Sequence, residues 1–324
     1  MIGGLAEGVL AGDRRSLARA ITLVESSRAD HDSEAGALLE AVMPATGRAV
    51  RVGITGAPGV GKSTLLEVLG SRLVERGLSV AVLAVDPSSS LSGGSILGDK
   101  TRMGDLARAP RAFIRPTPAG RAHGGVAHGT RDALLLCEAA GFDVVAVETV
   151  GVGQSEVAVA AMVDTFVLLL APGGGNELQG IKRGVMELAD LVVVTKADGD
   201  LAGAARHAAA DYAHALGLLR PRSSAWKLRV QLCSAVTGEG VDEVWAAVEE
   251  HRRALVEAGE LERLRAGQAQ EALWADVHDR LGAALRSDPA VAAAAPDVER
   301  SVLSGELAPS AGAARILAAF RRGA

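Results

Sequence analysis

The sequence predicts an α/β fold, a mostly parallel central sheet flanked by helices, with helical N- and C-terminal extensions. From Ala49 onward, short Val/Leu/Ile-rich runs alternate with helical patterns, as in sheets built from strand–helix–strand units. The runs lack clean polar alternation, which is typical of strands buried on both faces. They predict strands near 50–55, 79–85, 111–115, 143–147, 165–170, 191–195 and 227–232. The patterns between and after them predict helices near 62–76, 131–140, 154–163, 178–189, 201–217 and 240–256.

Both ends of the chain lack the strand pattern. Residues 1–48 carry apolar side chains at helical spacing, which predicts a helical prefix that covers one side of the core. Residues 257–324 show amphipathic patterns suited to packing or self-association, and the Ala-rich run 290–295 predicts a weak helix or a loop. Three prolines punctuate this region: Pro289, Pro296 and Pro309. The central domain is therefore expected to span residues 49–256.

Composition narrows the class of protein. Aromatic residues make up only 2% of the 324 residues, so Ala, Val and Leu must build most of the core. A formal net charge of -5 without a dense basic tract argues against a nucleic-acid binder. Cys137 and Cys233 are distant and lie in apolar contexts, which predicts buried free thiols. The chain has neither a signal-peptide pattern nor an apolar run approaching 18 residues, so a soluble cytoplasmic protein without membrane contact is expected.

The stretch Gly56–Thr64 matches G-x-x-x-x-G-K-[ST] and lies between a predicted strand and a predicted helix. In this motif the glycines let backbone N–H groups converge on a phosphate, and the helix N-terminus adds positive potential. Lys62 would reach the β- and γ-phosphates, and the Ser63 hydroxyl would bind Mg²⁺. The pattern predicts a P-loop NTPase. Its expected phosphate-binding residues are Gly56, Pro58, Gly59, Val60, Gly61, Lys62, Ser63 and Thr64.

Three carboxylates follow predicted strands or lie in loops close to the P-loop. Asp86 ends the second strand, Asp99 lies in a Gly-Asp-Lys-Thr-Arg segment, and Glu148 ends the fourth strand. Mg²⁺ prefers hard oxygen ligands, so all three are candidate metal and catalytic residues. The sequence leaves open which carboxylate binds the metal directly and which holds a metal-bound water.

Two glycine-rich segments suggest mobile loops beside the phosphates. Glu148-Thr-Val-Gly151 occupies the place of the D-x-x-G element of G proteins, and Gly151 would donate its backbone N–H to the γ-phosphate. Gln154 is either a water-positioning group or an exposed amide at a helix start. A triple glycine precedes Lys182, which would either reach the nucleotide or a partner, or lie solvated on a helix.

The base is predicted from two further turns. Thr195-Lys196-Ala197-Asp198 follows a strand and matches [NT]-K-x-D, and the Asp198 carboxylate would accept from both guanine donors, N1–H and N2–H₂. Adenine would leave that acceptor unpaired, at a cost of roughly 1–3 kcal/mol. The backbone of Ser234 and Ala235, after the last strand, would face the guanine carbonyl. Together these turns predict GTP and GDP as the ligands.

The motif set also carries a family resemblance. The P-loop, Val85-Asp-Pro-Ser-Ser, Gly98-Asp-Lys-Thr-Arg-Met103, Glu148–Glu156 and Glu177–Lys182 together resemble the MeaB/ArgK-type GTPases. Those proteins are G-protein chaperones of adenosylcobalamin-dependent methylmalonyl-CoA mutase. The resemblance implies slow GTP hydrolysis that the mutase stimulates, and gating of cofactor delivery to the mutase, which it also protects. It further implies a homodimer held by the C-terminal extension, with cobalamin held by the mutase; an adenosyltransferase is a further candidate partner.

The resemblance assigns Asp86, Asp99 and Glu148 to the metal and switch set and Lys182 to a third switch. Members of the family commonly have an acidic residue where this chain has Asn176. No residue stands out as an intrinsic arginine finger, because Arg102 and Arg108 fit a surface role equally well.

Other functions compatible with a P-loop are a small-molecule kinase of arginine type, a metal-delivery GTPase and a partitioning ATPase. The kinase would need an acceptor pocket and an oriented base, the metal carrier would need Cys/His ligand spacing, and Asp198 disfavours the ATPase.

Overall fold

The computed structural model describes residues 2–26, 28–86, 103–118, 125–149, 155–172, 183–217 and 222–323. The chain divides into two compact units, Met1–Ala269 and Gln270–Ala324, and each is described by itself. The strands of the first unit are β1 (Val50–Gly56), β2 (Val80–Asp86), β3 (Ala112–Pro118), β4 (Val144–Glu148), β5 (Thr165–Leu170), β6 (Leu191–Val194) and β7 (Arg229–Leu232). Within the described residues these seven strands form one sheet in the order β3-β2-β4-β1-β5-β6-β7, and every neighbouring pair is parallel. The predicted α/β fold with a parallel sheet is confirmed.

Helices flank the sheet and precede it. They are α1 (Ile2–Leu10), α2 (Arg14–Val24), α3 (Ala29–Val42), α4 (Lys62–Glu75), α5 (Gly104–Arg108), α6 (Gly125–Ala139), α7 (Ser155–Ala160), α8 (Arg183–Leu188), α9 (Ala202–Leu216), α10 (Val241–Glu257) and α11 (Glu260–Ser287). Short 3₁₀ turns cover Met43–Ala45 and Gly199–Leu201. Among the described residues, no helix combines the length and the apolar character needed to cross a membrane.

Two helix boundaries differ from the predictions by three residues or more, and one short helix was not predicted. Helix α6 begins at Gly125 rather than at 131, and α7 ends at Ala160 because the chain turns there to start β5. Helix α5 was not predicted, since five residues are too short to show a helical period. The predicted start of α8, residues 178–182, lies outside the described residues.

The core divides between the two faces of the sheet, because successive strand residues point to opposite faces. Val145 and Val147 of β4 pack in one cluster with residues of α1, α2, α3 and α6. Val144 and Ala146 pack in a second cluster with α4, α5 and α10. The helical prefix therefore covers one face of the sheet. Both cysteines are buried free thiols, as predicted, and burial raises the pKa of each, that of Cys233 to about 11.

A buried charge network lies at the amino-terminal edge of the sheet. The Arg51 side chain donates to both oxygens of Glu138 at 2.9 and 2.6 Å, and the two residues are 8% and 3% exposed. The Gly47 N–H also donates to Glu138 at 3.0 Å. Asp164 accepts the Arg51 N–H at 3.0 Å and two bonds from Arg265 of α11 at 2.8 and 2.6 Å. The network ties the prefix, β1, β5, α6 and the start of α11 together.

Asp190 and His251 form a second buried cluster at the same edge. Asp190 accepts the Phe166 N–H at 2.8 Å and pairs with Arg222 at 3.0 Å, while its other oxygen lies 3.8 Å from His251 Nε2. His251 Nδ1 is 2.8 Å from Thr165 Oγ1. Burial raises the pKa of Asp190 from 3.8 to about 6, against the lowering effect of Arg222. Burial, aided by the Arg222 charge, lowers the pKa of His251 from 6.5 to about 4, and Asp164 opposes that shift.

These two shifts predict opposing contributions to the pH dependence of stability. Folded Asp190 takes up a proton near pH 6 that the unfolded chain takes up only near 3.8, so its contribution to stability grows as pH falls. Unfolded His251 is protonated near pH 6.5 and the folded residue only near 4, so its contribution is lost over that range. In His251→Gln only the first effect remains. Between pH 7 and pH 4 the free energy of unfolding of the variant should rise relative to wild type by about 3 kcal/mol.

Urea unfolding measured at several pH values checks this expectation. His214→Gln is the matched control, because His214 is exposed on α9. Parallel stability curves for wild type and His251→Gln would contradict the assigned pKa of His251.

The second unit contains the remainder of α11, with α12 (Pro289–Leu303) and α13 (Pro309–Gly323). The Asp288 side chain accepts the Val291 N–H at 2.9 Å and Pro289 takes the first turn, so the Ala-rich 290–295 run is helical. Pro289 and Pro309 begin helices, whereas Pro296 lies inside α12 rather than ending it. Large apolar side chains remain exposed on this unit: Leu273, Trp274, Leu281, Leu303 and Leu317.

Candidate nucleotide-binding site

The carboxyl ends of neighbouring strands assemble the predicted site residues at one edge of the sheet. Glu148 at the end of β4 is in register with Ile54 of β1 on one side and with Ala84 of β2 on the other. Gly56 and Asp86 lie two residues beyond those partners, at the ends of β1 and β2. Open parallel sheets bind their ligands at such an edge.

Two glycines of the P-loop are required by its backbone. Gly56 has φ +150°, and a Cβ there would lie 2.5 Å from the carbonyl oxygen of Leu169. Gly61 has φ +103° and directly precedes α4. A side chain at either position would strain or displace the turn that leads into the helix. The strand, turn and helix around Gly56–Thr64 are thus in the order that the motif needs.

Lys62 is held against the P-loop itself. Its Nζ donates to the carbonyl oxygens of Gly56 at 2.7 Å and Ala57 at 3.1 Å, and the residue is 7% exposed. An ammonium group at this place, beside the N-terminus of α4, is suited to a phosphate chain. Pro58 and Gly59 are exposed on the turn, Val60 is buried beneath it, and Thr64 is exposed in the first turn of α4.

Ser63 lies directly beside a carboxylate. Its Oγ donates to Glu148 Oε1 at 2.7 Å, and Glu148 is 7% exposed. Thr55 and Thr149 each follow a residue of the register pair Ile54–Glu148. Thr149 Oγ1 donates to Thr55 Oγ1 at 2.8 Å in a buried contact. A hydroxyl and a carboxylate are hard oxygen donors of the kind that Mg²⁺ prefers, so this pair fits the predicted metal.

The turn after β6 is bonded to the P-loop. Thr195 Oγ1 donates to the carbonyl oxygen of Val60 at 2.7 Å, and its second contact is the Leu170 carbonyl at 3.2 Å. Lys196 has φ +54°, an uncommon conformation for a residue with a side chain that often marks functional sites. Asp198 is half-buried, and its carboxylate has no hydrogen bond to another described residue. A half-buried carboxylate with both oxygens available can accept hydrogen bonds from two donors of a ligand.

The turn after β7 completes the edge. The Ala197 N–H donates to the Cys233 carbonyl at 3.2 Å, which joins the turn after β6 to this one. Ser234 is buried, and its Oγ accepts the Thr237 N–H at 3.1 Å, whereas Ala235 is half-buried. The two turns predicted to contact guanine are therefore neighbours.

Six residues that the sequence analysis discussed individually fall outside the ranges that the structure describes. Asp99, Gly151 and Lys182 lie outside the described residues, as do Gln154, Arg102 and Asn176, and Asp86 is placed by its backbone only. Arg108 is described: its guanidinium donates to the Gly104 carbonyl and pairs with Asp105 at 3.1 Å on the surface. Of the two arginine-finger candidates, Arg108 therefore lies in a surface ion pair, and Arg102 is not described.

Two contacts at this edge escaped the sequence analysis. The Thr55–Thr149 bond joins residues 94 positions apart, and no motif marks it. Glu67 of α4 caps the short helix α5 through backbone bonds to Asp105 and Leu106. A single acidic residue on a helix does not reveal in sequence that it caps a neighbouring helix, so no local pattern marked this contact.

Comparison with known proteins agrees with the motifs and the fold. The family described as "Methylmalonyl Co-A mutase-associated GTPase MeaB" matches residues 17–290. This chain belongs to the MeaB family. A "Putative GTPase" of Caulobacter vibrioides is 57% identical over 319 residues, which cover 98% of both chains. A "Methylmalonic aciduria type A homolog, mitochondrial" of Mus musculus is 47% identical, over 97% of this chain and 78% of the relative.

A solved structure supports the MeaB fold over the chain. The crystal structure of a LAO/AO transport system kinase matches with a TM-score of 0.79 and 39% identity, covering 99% of this chain and 97% of the other. The predicted family is thus confirmed, and so is the P-loop architecture. GTP hydrolysis is the activity that the family's description and the names of its relatives support.

Proposed function

We propose that this MeaB-family chain binds and hydrolyses GTP in order to gate cobalamin delivery to a B12-dependent acyl-CoA mutase, which it also protects. The mutase is methylmalonyl-CoA mutase or a close relative. The observation that carries the proposal is the assembly of Lys62, Ser63, Glu148 and Asp198 at one edge of the sheet, in a chain whose family is described as mutase-associated. Lys62, Ser63 and Glu148 are suited to binding a phosphate and its metal ion, and Asp198 is suited to binding guanine.

Phosphate binding would exchange one set of Lys62 contacts for another. The ammonium group now bonds to two P-loop carbonyls, and the β- and γ-phosphates would take their place. Ser63 and Glu148, with Asp86 and Asp99 as further candidates, would hold Mg²⁺. Bound Mg²⁺ neutralises charge that develops on the phosphates during phosphoryl transfer. Gly151 would add a backbone N–H to the γ-phosphate, and Lys182 would belong to a further switch segment.

The proposed slow hydrolysis without the partner is supported by the contacts of Arg108, one of the two arginine-finger candidates. An arginine finger supplies roughly 10³–10⁵ in rate, and Arg108 is engaged with Asp105 on the surface. A partner that orders the site or supplies the missing charge would therefore raise the rate. An adenosyltransferase is a further candidate partner, since cobalamin must be loaded before it is delivered.

We also propose that residues 257–324 hold a homodimer. The second unit exposes Leu303, Leu273 and Trp274, whose residue surfaces are 87%, 60% and 55% accessible to solvent. Large exposed apolar residues gathered on one small unit are typical of an interaction surface. A second copy of the chain is the occupant that the family resemblance implies.

The proposal predicts that the mutase stimulates hydrolysis. Phosphate release from GTP, measured with and without methylmalonyl-CoA mutase, should rise about tenfold or more in its presence. GDP should compete for the site at least about tenfold better than ADP, because adenine leaves Asp198 unpaired. An equal rate with and without the mutase would contradict the partner, and equal competition by ADP would contradict the base.

An assay with labelled GTP distinguishes the proposed GTPase activity from a kinase activity. The structural relative described as a transport system kinase makes this the alternative to test. With labelled GTP and arginine, label on arginine would favour the kinase and free phosphate the GTPase. For the metal-delivery alternative, the described residues contain no group of three or more His, Cys, Asp or Glu side chains arranged to hold a metal.

A further inference from the structure

The helical prefix contains a cavity of about 500 Å³, called here the prefix cavity. Helices α1, α2 and α3 form its walls, together with Arg115 of β3. None of its described lining residues belongs to the P-loop or to the two turns predicted to contact guanine. Cavities that bind small molecules commonly measure about 300–1,000 Å³. The prefix therefore has room for a ligand of its own.

Part of the lining is apolar. Ile2 and Leu5 of α1 line the prefix cavity, as do Ala18 and Leu23 of α2. All four residues are half-buried, because each packs against the core cluster beneath the prefix while still facing the cavity. A ligand with an aliphatic body would remove this remaining apolar surface from water, which favours binding.

The rest of the lining carries an excess of positive charge. Arg15 and Arg19 are exposed on α2, and neither forms an ion pair with another described residue. Glu34 of α3 is the one acid among the described residues that line the prefix cavity. With Arg115, the lining thus holds three arginines against a single carboxylate. This balance of charge favours an anionic ligand.

Arg115 keeps hydrogen-bond donors that the described chain leaves unused. Its Nη2 donates to Glu25 Oε2 at 2.5 Å and to Thr22 Oγ1 at 3.2 Å. The contact with Glu25 is single rather than paired, since Arg115 Nε and Glu25 Oε1 are both buried without a hydrogen bond to another described residue. Arg115 Nη1 has no described acceptor either. Buried polar groups seldom lack partners, so this guanidinium is suited to a further acceptor.

We propose that the prefix cavity binds a small organic acid, whose aliphatic body packs on the apolar lining and whose carboxylate lies among Arg15, Arg19 and Arg115. Guanidinium groups bind carboxylates through parallel N–H donors, and Arg115 already makes one such bond to Glu25. The inference goes beyond the proposed function and does not depend on it, because the prefix cavity shares no described lining residue with the nucleotide site.

Isothermal titration calorimetry of the full chain with octanoate tests this site. Octanoate should bind one site per chain with a dissociation constant below about 1 mM. The uncharged 1-octanol should bind at least about tenfold more weakly, since it has the same body without the carboxylate. From butyrate to octanoate, each added methylene should tighten binding about threefold. No saturable binding of octanoate, or equal binding of octanol, would overturn the inference.

Substitutions in α2 locate the bound acid. Arg15→Gln and Arg19→Gln should each weaken octanoate binding about threefold, and the double variant about tenfold. Ala18→Leu keeps every arginine but fills the apolar lining, so it should abolish binding. The matched control is Arg14→Gln, because Arg14 is exposed on the same helix and lies 3.5 Å from the Ala109 carbonyl, outside the lining. Its affinity for octanoate should equal that of wild type.

The arginine variants carry the test if Ala18→Leu does not fold, since both side chains are exposed and glutamine is a good helix former. Octanoate bound as tightly by the double variant as by wild type would overturn the inference. An acidic peptide that bound through the same arginines, where octanoate did not bind, would also overturn it and would indicate a protein-docking surface. A wild-type protein that bound octanoate but no guanine nucleotide would contradict the proposed function alone.

Discussion

Replacing Lys62 with alanine is expected to lower the rate of GTP hydrolysis by about 10²- to 10³-fold, the usual cost of removing one preorganised charge from a transition state. The Lys62 ammonium group is buried and held by the Gly56 and Ala57 carbonyls, so its position beside the helix N-terminus is already set. No other described lysine lies on the P-loop. Single-turnover hydrolysis at saturating GTP measures the loss in the chemical step.

Lys227→Ala is the matched control for this variant. Lys227 is exposed and precedes β7, at the opposite edge of the sheet from the P-loop. Its replacement should leave the rate unchanged. If Lys62→Ala bound GTP and hydrolysed it at the wild-type rate, Lys62 would have no catalytic role.

Replacing Arg51 with methionine should destabilise the fold by about 3–5 kcal/mol, because it leaves the Glu138 carboxylate buried without its counter-charge. Glu138 is 3% exposed and would keep only the Gly47 N–H among its described hydrogen bonds. The double variant Arg51→Met with Glu138→Leu should recover most of the loss, since an apolar pair of similar volume needs no desolvated charge. Denaturant unfolding of both variants measures the two free energies.

Arg28→Met is the control for the ion pair. Arg28 pairs with Asp30 on the surface, where the two side chains are 67% and 61% exposed, so no measurable change in stability is expected. A double variant as unstable as Arg51→Met would show that the loss came from packing rather than from an unpaired carboxylate.

The sequence predicted the sheet well because buried parallel strands are continuous apolar runs. All seven runs became strands, with ends shifted by a few residues. Helix α5 was not predicted from the sequence, because it is held by Glu67 and by burial of Leu106, and neither contact has a local sequence pattern. The Arg51–Glu138 pair joins residues 87 positions apart. Such pairs depend on the assembled fold, so single-sequence patterns do not reveal them.

The candidate site was predictable to the extent that its chemistry lies in contiguous motifs. The P-loop and the turn at Thr195–Asp198 can each be recognised from a few consecutive residues. In the structure the two are neighbours, joined by the hydrogen bond from Thr195 Oγ1 to the Val60 carbonyl. Which carboxylate stands beside Ser63 was open in the sequence. Strand register decided it among the described side chains, since β4 neighbours β1 and brings Glu148 to the start of α4.

The parallel sheet also fixes the distance between the two loops predicted to bind the nucleotide. Neighbouring strands are about 4.8 Å apart, so β1, which leads into the P-loop, and β6, which leads into the Asp198 turn, are separated by about 10 Å across β5. Insertions in the surface loops would leave this interval unchanged, whereas a disruption of β5 would alter it. The distance between the P-loop and the Asp198 turn is thus set by backbone hydrogen bonding in the core of the sheet, and not by the length of the surface loops.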